Sequence, residues 1–191
     1  VRDRIRTLSG EFGTRIEPTY VDDGPIFENT DGGADVDLRK FPSPRTWPRD
    51  GGRYIGTACA VVTENPETGA INVGTYRGMV QSENRATINA VGGKDMRSHL
   101  ETQWERGEPL DVAVAYGILP ELLLVSGSKY GEADDEFEYA GGVRGSPIEL
   151  VEGPVTGLPI PANAEIVAEG RFEPDDWESE GPFGEFTGYY G

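Results

Sequence analysis

Residues 54–63 read YIGTACAVVT, residues 64–69 read ENPETG, and residues 70–80 read AINVGTYRGMV. The first and third runs are rich in small and β-branched residues, which favour strands. The middle run is polar, contains proline and glycine, and has the length of a hairpin loop. The stretch therefore predicts a β-hairpin from Tyr54 to Val80.

Further elements surround this hairpin. Between Lys94 and Arg106 the spacing of Met96, Leu100 and Trp104 indicates one buried helix face. A second, short helix is expected to begin at Pro120 and continue through Leu124. Additional strands are expected at Thr87–Val91, Val112–Tyr116, Ile148–Val151 and Ile166–Ala168. Five or six short strands with two or three helices predict an α+β fold, specifically a small barrel.

The N-terminal part differs from the rest of the chain. Residues 1–37 are polar and rich in turn signals, which indicates an extended arm or linker that begins with a short helix. Residues 38–191 then form the expected barrel domain.

The chain of 191 residues has 34 acidic and 17 basic residues, a net charge of −17. This charge repels polyanions, so nucleic-acid binding is excluded as a function. Only three basic residues are lysine, a pattern typical of proteins from a high-salt cytoplasm; an ordinary acidic protein is the alternative.

The single cysteine, Cys59, excludes an intrachain disulfide. No apolar run approaches the length of a membrane span, and we expect a cytoplasmic protein.

Three segments carry residue types suited to chemistry. In residues 72–77, NVGTYR, an arginine inside a barrel would bind an anion or a carboxylate; an exposed strand arginine is the alternative. The acidic stretch from Glu132 to Glu138 is either a solvated charge run or a hard-cation site. In residues 178–188, ESEGPFGEFTG, two carboxylates lie five residues apart across a tight turn, which suits a pair of acids in different protonation states.

Five ordered blocks together resemble the UbiD family of reversible decarboxylases. They are DGGRYIGT (50–57), NVGTYR (72–77), YAGGVRG (139–145), IPANAEIV (160–167) and EGPFGE (180–185). The resemblance covers roughly residues 38–191. It implies a split β-barrel of the flavin-reductase type and a decarboxylase of aromatic or α,β-unsaturated acids that uses prenylated FMN. A non-catalytic flavin-binding or assembly subunit with the same barrel is the alternative.

The resemblance also implies catalytic roles. Arg77, Glu180 and Glu185 match the family's catalytic network: Arg77 would hold the substrate carboxylate, Glu185 would donate the proton that replaces CO₂, and Glu180 would support Arg77 and the flavin. The electron sink would be the cofactor.

Metal and cofactor contacts are implied in the same way. The family binds the flavin phosphate through Mn²⁺ or Mg²⁺ beside K⁺, and Asn72 and Glu136 match two metal ligands. Thr57, Ser126 and Ser128 match contacts to flavin and potassium. The family's third metal ligand is a histidine that aligns with about position 94 or 95. In this sequence these positions are Lys94 and Asp95, so the histidine is missing. Either Asp95 replaces it as an oxygen ligand, or Lys94 contacts the phosphate directly, or the site is weak or absent.

One histidine, His99, lies a helical turn beyond that position, where we expect it to be a hydrogen-bonded helix residue and not a metal ligand.

Family members are usually more than twice as long, so the chain is expected to correspond to their central domain. A flavin prenyltransferase of the UbiX type would supply the cofactor, and the full-length form would be a homo-oligomer.

Overall fold

A computed structural model describes residues 14–131 and 134–191. The expected helix at the start of the arm and Glu132 of the acidic stretch lie outside these residues. In chain order the strands are β1 (Thr19–Tyr20), β2 (Arg53–Gly56), β3 (Cys59–Glu64), β4 (Ile71–Gly74), β5 (Gly78–Val80), β6 (Ala86–Ile88), β7 (Leu110–Tyr116), β8 (Glu149–Glu152), β9 (Pro159–Pro161) and β10 (Ile166–Phe172). The helices are α1 (Asp95–Glu105), α2 (Pro120–Ser126) and α3 (Glu136–Arg144), with 3-10 turns at Pro25–Phe27, Gly33–Asp35 and Leu38–Lys40.

The predicted hairpin is present between β3 and β4, which pair antiparallel with Val62 opposite Val73. The Asn65 side chain accepts hydrogen bonds from the backbone N–H groups of Glu67 and Thr68, which fixes the intervening loop. Each half of the predicted stretch is nevertheless broken. The chain leaves the strand conformation after Gly56 and again after Gly74, so β2 and β5 belong to a different sheet from β3 and β4.

The strands of the described residues form three sheets, and none of them closes into a barrel. A four-stranded sheet has the order β10-β7-β3-β4, a three-stranded sheet has the order β2-β5-β6, and a second three-stranded sheet has the order β1-β8-β9. The mixed α+β class is confirmed. The expected count of about six strands is too low, because the two breaks divide predicted strands and because β1 and β9 carry little local signal.

The four-stranded sheet is apolar on both faces because successive side chains of β3 and β7 alternate between two cores. On one face Ala60, Val62, Ala113 and Ala115 pack with α2 and α3, for example with Leu122 and Phe137. On the other face Cys59, Val61, Val112 and Val114 pack with Met96 of α1 and with Tyr76. This second face is the one next to the candidate site.

Helix α3 was not predicted, because its sequence contains the acidic stretch and the pair Gly141-Gly142. Both glycines are required by a close approach of the N-terminal segment. A Cβ atom on Gly142 would lie 1.9 Å from the carbonyl oxygen of Thr14, and one on Gly141 would lie 2.7 Å from that of Ile16. The helix ends at Gly145, whose φ of +80° is readily accessible to glycine.

Among the described residues, no helix has both the length and the apolar character that a membrane span requires.

Candidate active site

Arg77 lies in the segment that crosses from the four-stranded sheet to the β2-β5-β6 sheet, between β4 and β5. Strand β4 ends at Gly74, where a Cβ atom would lie 2.3 Å from the Tyr76 ring. The backbone of Thr75 is held by a hydrogen bond from its N–H to the Ser126 carbonyl oxygen, 3.1 Å. The break in the predicted strand therefore places the arginine between two sheets instead of on a sheet face.

The structure brings Arg77 together with Glu180 and Glu185, which follow it by 103 and 108 residues. Arg77 Nε and Nη2 donate to the two carboxylate oxygens of Glu180 at 2.9 and 2.8 Å. Arg77 Nη1 donates to Glu185 Oε1 at 3.0 Å. The Glu180 contact is a bidentate arginine–carboxylate pair, which is the stronger geometry, whereas the Glu185 contact is a single hydrogen bond.

The two acids also differ in exposure to solvent. The side chain of Glu180 is 11% exposed and that of Arg77 is 16% exposed, whereas that of Glu185 is 43% exposed. Burial alone would lower the pKa of Arg77, but the hydrogen bonds and negative charge of Glu180 raise it, so the guanidinium stays charged. Glu180 is thus the fixed partner of Arg77, and Glu185 is the partner that solvent or a ligand can reach.

The turn between the two acids is held by a buried aspartate. Asp50 Oδ1 accepts from the Gly184 N–H at 2.9 Å and Oδ2 accepts from the Trp47 N–H at 2.7 Å. Burial raises the pKa of Asp50, but these backbone donors outweigh it and lower the pKa overall. A Cβ atom at Gly51 would lie 1.9 Å from the Gly181 carbonyl oxygen, so the two segments approach more closely than a side chain would permit.

Tyr54 and Asn89 complete the surroundings of Glu180. Asn89 Nδ2 donates to Glu180 Oε2 at 3.0 Å. Tyr54 is 1% exposed and packs on Phe183, with ring centroids 4.5 Å apart. Its hydroxyl makes no hydrogen bond of standard geometry with the described residues but lies against Glu180. Burial, followed by the interaction with the Glu180 carboxylate, raises its pKa to about 12. Sequence reasoning assigned neither residue to the site. Tyr54 does lie in the DGGRYIGT block, whereas Asn89 carried no signal beyond lying within the predicted strand Thr87–Val91.

A cavity of about 650 Å³ opens beside Arg77, Asn89 and Glu180. Apolar and aromatic residues form one part of its wall, and charged residues form much of the rest. The apolar part includes Ile88, Trp104, Val112, Val114, Tyr116 and Phe172, and the charged part includes Arg85, Glu169, Arg171, Glu173, Asp176 and Glu178. The cavity lies on the second core face of the four-stranded sheet, between β6 and β10. A cation held at the edge of an apolar cavity is suited to binding an apolar molecule that carries a carboxylate.

The predicted metal ligands Asn72 and Glu136 lie close together and are buried. Glu136 Oε2 accepts from the Val73 N–H at 3.1 Å. Burial is the main cause that raises the pKa of Glu136 to about 7, and the negative charge of Asp95 contributes. The Asn72 Nδ2 atom is buried and makes no hydrogen bond of standard geometry with the described residues, although it lies against the Tyr76 side chain. Burial raises the pKa of Tyr76, and the negative charges of Asp95 and Glu136 raise it further.

The remaining predicted residues differ in their placement. Ser126 is buried, and its hydroxyl is hydrogen-bonded to Thr75 Oγ1 at 2.8 Å. Thr75 lies between Asn72 and Arg77 in the sequence. Ser128 is exposed and donates to the Leu124 carbonyl oxygen at 3.0 Å. Thr57 is exposed in the turn between β2 and β3, and Lys94 is exposed at the start of α1.

His99 is buried in α1 and is hydrogen-bonded through Nδ1 to Thr63 Oγ1 at 3.0 Å, as expected for a satisfied helix residue. In the part of the chain that the structure describes, no group of three or more His, Cys, Asp or Glu side chains could hold a metal ion. A metal would therefore need amide or ligand oxygens besides Glu136 and Asp95.

Comparison with known families decides the origin of this arrangement. The family model for the UbiD, 3-octaprenyl-4-hydroxybenzoate carboxy-lyase Rift-related domain, matches residues 19–191. The chain belongs to the UbiD family. It is 39% identical over 180 residues to the phenolic acid decarboxylase of Streptomyces sp. (strain D7), covering 92% of this chain and 38% of that protein.

Solved structures of the UbiD class have the same fold. The vanillic acid decarboxylase of Sedimentibacter hydroxybenzoicus in its closed form superposes with a TM-score of 0.92 at 32% identity, covering 100% of this chain and 42% of that one. An evolved dimeric form of the UbiD-class enzyme HmfF from Pelotomaculum thermopropionicum, in complex with prFMN, gives a TM-score of 0.90 at 31% identity, covering 98% of this chain and 44% of that one. The chain thus spans about two fifths of the length of these relatives.

Proposed function

We propose that this chain is the cofactor-binding and catalytic core of a decarboxylase that uses prenylated FMN to act on aromatic or α,β-unsaturated carboxylic acids. The observation that carries the proposal is the pair of carboxylates on Arg77 at the edge of a cavity whose wall is partly apolar. Bound prenylated FMN would supply the electron sink for the bond that is broken. The protein's own residues would bind the acid, orient it and deliver a proton.

Arg77 has the hydrogen-bonding capacity to anchor a substrate carboxylate. A guanidinium has five N–H donors. Four of them are engaged by Glu180, Glu185 and the Gly191 carbonyl oxygen. Both N–H groups of Nη1 therefore become available to a substrate carboxylate only when Glu185 moves away from Arg77. Glu180 would still hold the guanidinium in place.

Glu185 is the better candidate for the proton donor for the same reason. It has one hydrogen bond to Arg77 and a side chain open to solvent, so it can take up a proton and approach the substrate carbon after CO₂ leaves. Glu180, whose carboxylate accepts three hydrogen bonds from Arg77 and Asn89, would remain the fixed partner of Arg77.

The flavin phosphate would lie near Asn72, Ser126 and Glu136, with a divalent cation between phosphate and protein. The fit rests on a buried carboxylate whose pKa is raised, which a cation would neutralise, and on the buried Asn72 Nδ2 group, which could donate to a phosphate oxygen. Asp95 supports this cation better than exposed Lys94, because Asp95 lies within the electrostatic reach of Glu136. Oxygen donors of this kind suit Mn²⁺ or Mg²⁺. Thr57, Ser128 and K⁺ remain proposed contacts of the same cofactor.

Three further parts of the proposal concern the whole protein. Residues 38–191 would be a split barrel whose open side lies between β6 and β10, preceded by an arm over residues 1–37. A flavin prenyltransferase would supply the cofactor, and the complete enzyme would be a homo-oligomer. The acidic composition would reflect a salt-rich cytoplasm.

A non-catalytic flavin-binding or assembly subunit is the second candidate function. One observation favours it: the described residues contain no group of three or more His, Cys, Asp or Glu side chains that could hold a metal ion, whereas the family has a metal site. The retained Arg77, Glu180 and Glu185 favour the enzyme, because flavin binding alone does not need two acids on one arginine.

Titration of the folded chain with FMN and Mn²⁺ tests where the cofactor binds. Asn72→Ala and Glu136→Ala should each weaken FMN affinity in the presence of Mn²⁺ by about tenfold, the loss expected for one contact to a charged group. Asn163→Ala, the same change at an exposed asparagine on the surface, is the matched control. Unchanged affinity in both site variants would mean that the site is misplaced.

A further inference from the structure

Asn89 contacts both members of the buried Arg77–Glu180 pair. Its backbone N–H donates to the Arg77 carbonyl oxygen at 3.0 Å, and its side-chain Nδ2 donates to Glu180 Oε2 at 3.0 Å. The same Glu180 oxygen accepts from Arg77 Nη2 at 2.8 Å. One residue therefore joins the main chain of the arginine to the side chain of its acid partner.

This arrangement explains why Arg77 binds its two acids unequally. Glu180 reaches the site on a segment without regular secondary structure, between Phe172 and Gly184. A carboxylate on such a segment can rotate about its side-chain bonds, and the arginine alone constrains it only within their common plane. The Asn89 amide adds a donor from a different direction, which fixes the rotation of the Glu180 carboxylate.

We propose that Asn89 is a positioning residue that holds Glu180 on Arg77 and so leaves Glu185 as the only acid that exchanges with the substrate. The inference rests on the proposed role of Arg77 as the carboxylate anchor. Asn89 acts through Glu180 and Arg77, and it is not assigned a contact with substrate or cofactor.

The chemistry of the asparagine side chain makes the proposal specific. Replacing Asn89 by aspartate keeps the size and the backbone hydrogen bond but places a carboxylate oxygen against a carboxylate oxygen. That contact is repulsive, and it displaces Glu180 unless a proton is taken up. Replacing Asn89 by leucine removes the donor without adding charge, so its effect should be in the same direction and smaller.

Hydrogen exchange of the Arg77 Nε–H measures this positioning in the unloaded chain. Its signal in ¹⁵N–¹H spectra is assigned by its loss in Arg77→Lys, and its exchange rate reports how often the pair with Glu180 opens. We expect exchange about tenfold faster in Asn89→Asp and about threefold faster in Asn89→Leu, from the loss of a hydrogen bond to a charged group.

The matched control is Asn163→Asp. Asn163 Nδ2 also donates to a glutamate, Glu149 Oε2, at 3.0 Å, but on the exposed surface away from Arg77. It should leave the exchange of Arg77 Nε–H unchanged. Backbone amide spectra of all variants show whether each one is folded. If Asn89→Asp does not fold, the Arg77 Nε–H exchange rate of Asn89→Leu tests the proposal.

Benzoate affinity, measured on the same samples, separates this inference from the proposed function. We expect benzoate to bind the wild-type chain at least threefold more tightly than Asn89→Leu. If the wild type does not bind benzoate but Asn89→Leu still accelerates Arg77 exchange, the anchor role fails and the positioning of Glu180 stands. Wild-type exchange rates in the folded Asn89 variants would overturn the inference.

Discussion

Replacing Glu136 by glutamine should stabilise the unliganded chain at pH 8 and leave its stability at pH 4.5 nearly unchanged. Glu136 is 7% exposed, and its carboxylate has the Val73 N–H as a hydrogen-bond donor. Burial opposes the charged form and raises the pKa of Glu136 from 4.5 to about 7, with Asp95 adding to the effect. Glutamine keeps the shape and can still accept from Val73, but it carries no charge to desolvate.

The sign follows from the direction of the shift. Because the pKa of Glu136 is higher in the folded than in the unfolded chain, the folded chain holds its proton more tightly. The associated stability is fully present below pH 4.5 and is lost as the pH rises through about 7. The difference between 4.5 and about 7 corresponds to about 3 kcal/mol.

Urea unfolding between pH 4.5 and pH 8 measures this difference. The free energies of unfolding of wild type and Glu136→Gln should diverge with increasing pH, by up to about 3 kcal/mol at pH 8. Glu108→Gln, the same change in an exposed loop, controls for the general loss of one acid from a strongly acidic chain. Parallel curves for wild type and Glu136→Gln would refute the reasoning, because Glu136 would then titrate alike in the folded and unfolded chains.

Three further predictions concern the site and the surface. Tyr54→Phe should stabilise the unliganded chain by about 1 kcal/mol in urea unfolding, because the buried hydroxyl makes no hydrogen bond of standard geometry with the described residues; a loss of that size would show that its contact with Glu180 is a true hydrogen bond. In the cofactor-loaded full-length enzyme, Glu185→Gln should abolish incorporation of solvent deuterium into the product while leaving FMN affinity intact, and near-normal incorporation would place the proton donor elsewhere. With 34 acidic residues, the melting temperature should rise with KCl into the molar range; a flat profile would favour an ordinary acidic protein.

The hairpin and the helix of α1 were predictable because their signals are local. The strands of the hairpin are rich in small and β-branched residues, such as Val61, Val62 and Val73, and Met96 and Leu100 recur at helical spacing. The division of the 54–80 stretch between two sheets was not predictable, because similar residue types continue across both breaks. Helix α3 was missed for a tertiary reason: Gly141 and Gly142 serve the approach of residues 14–16, and no local pattern reports that contact.

The site shows the same division between local and tertiary information. The motifs around Arg77, Glu180 and Glu185 identified three residues that the fold brings together across more than 100 positions. Asn89 was not identified, because its importance depends on which carboxylate faces it after folding. The unequal binding of the two acids by Arg77 likewise depends on geometry that the motif does not contain.

The most direct test of the account is the identity of the flavin that the protein holds. The chain, and separately its Glu136→Ala variant, should be co-expressed with a flavin prenyltransferase and analysed by native mass spectrometry and absorption spectroscopy. The account predicts that the wild type carries a species heavier than FMN by one prenyl unit and that the variant carries much less of it. A wild type that is folded but holds no flavin, or holds unmodified FMN alone, would contradict the proposed function.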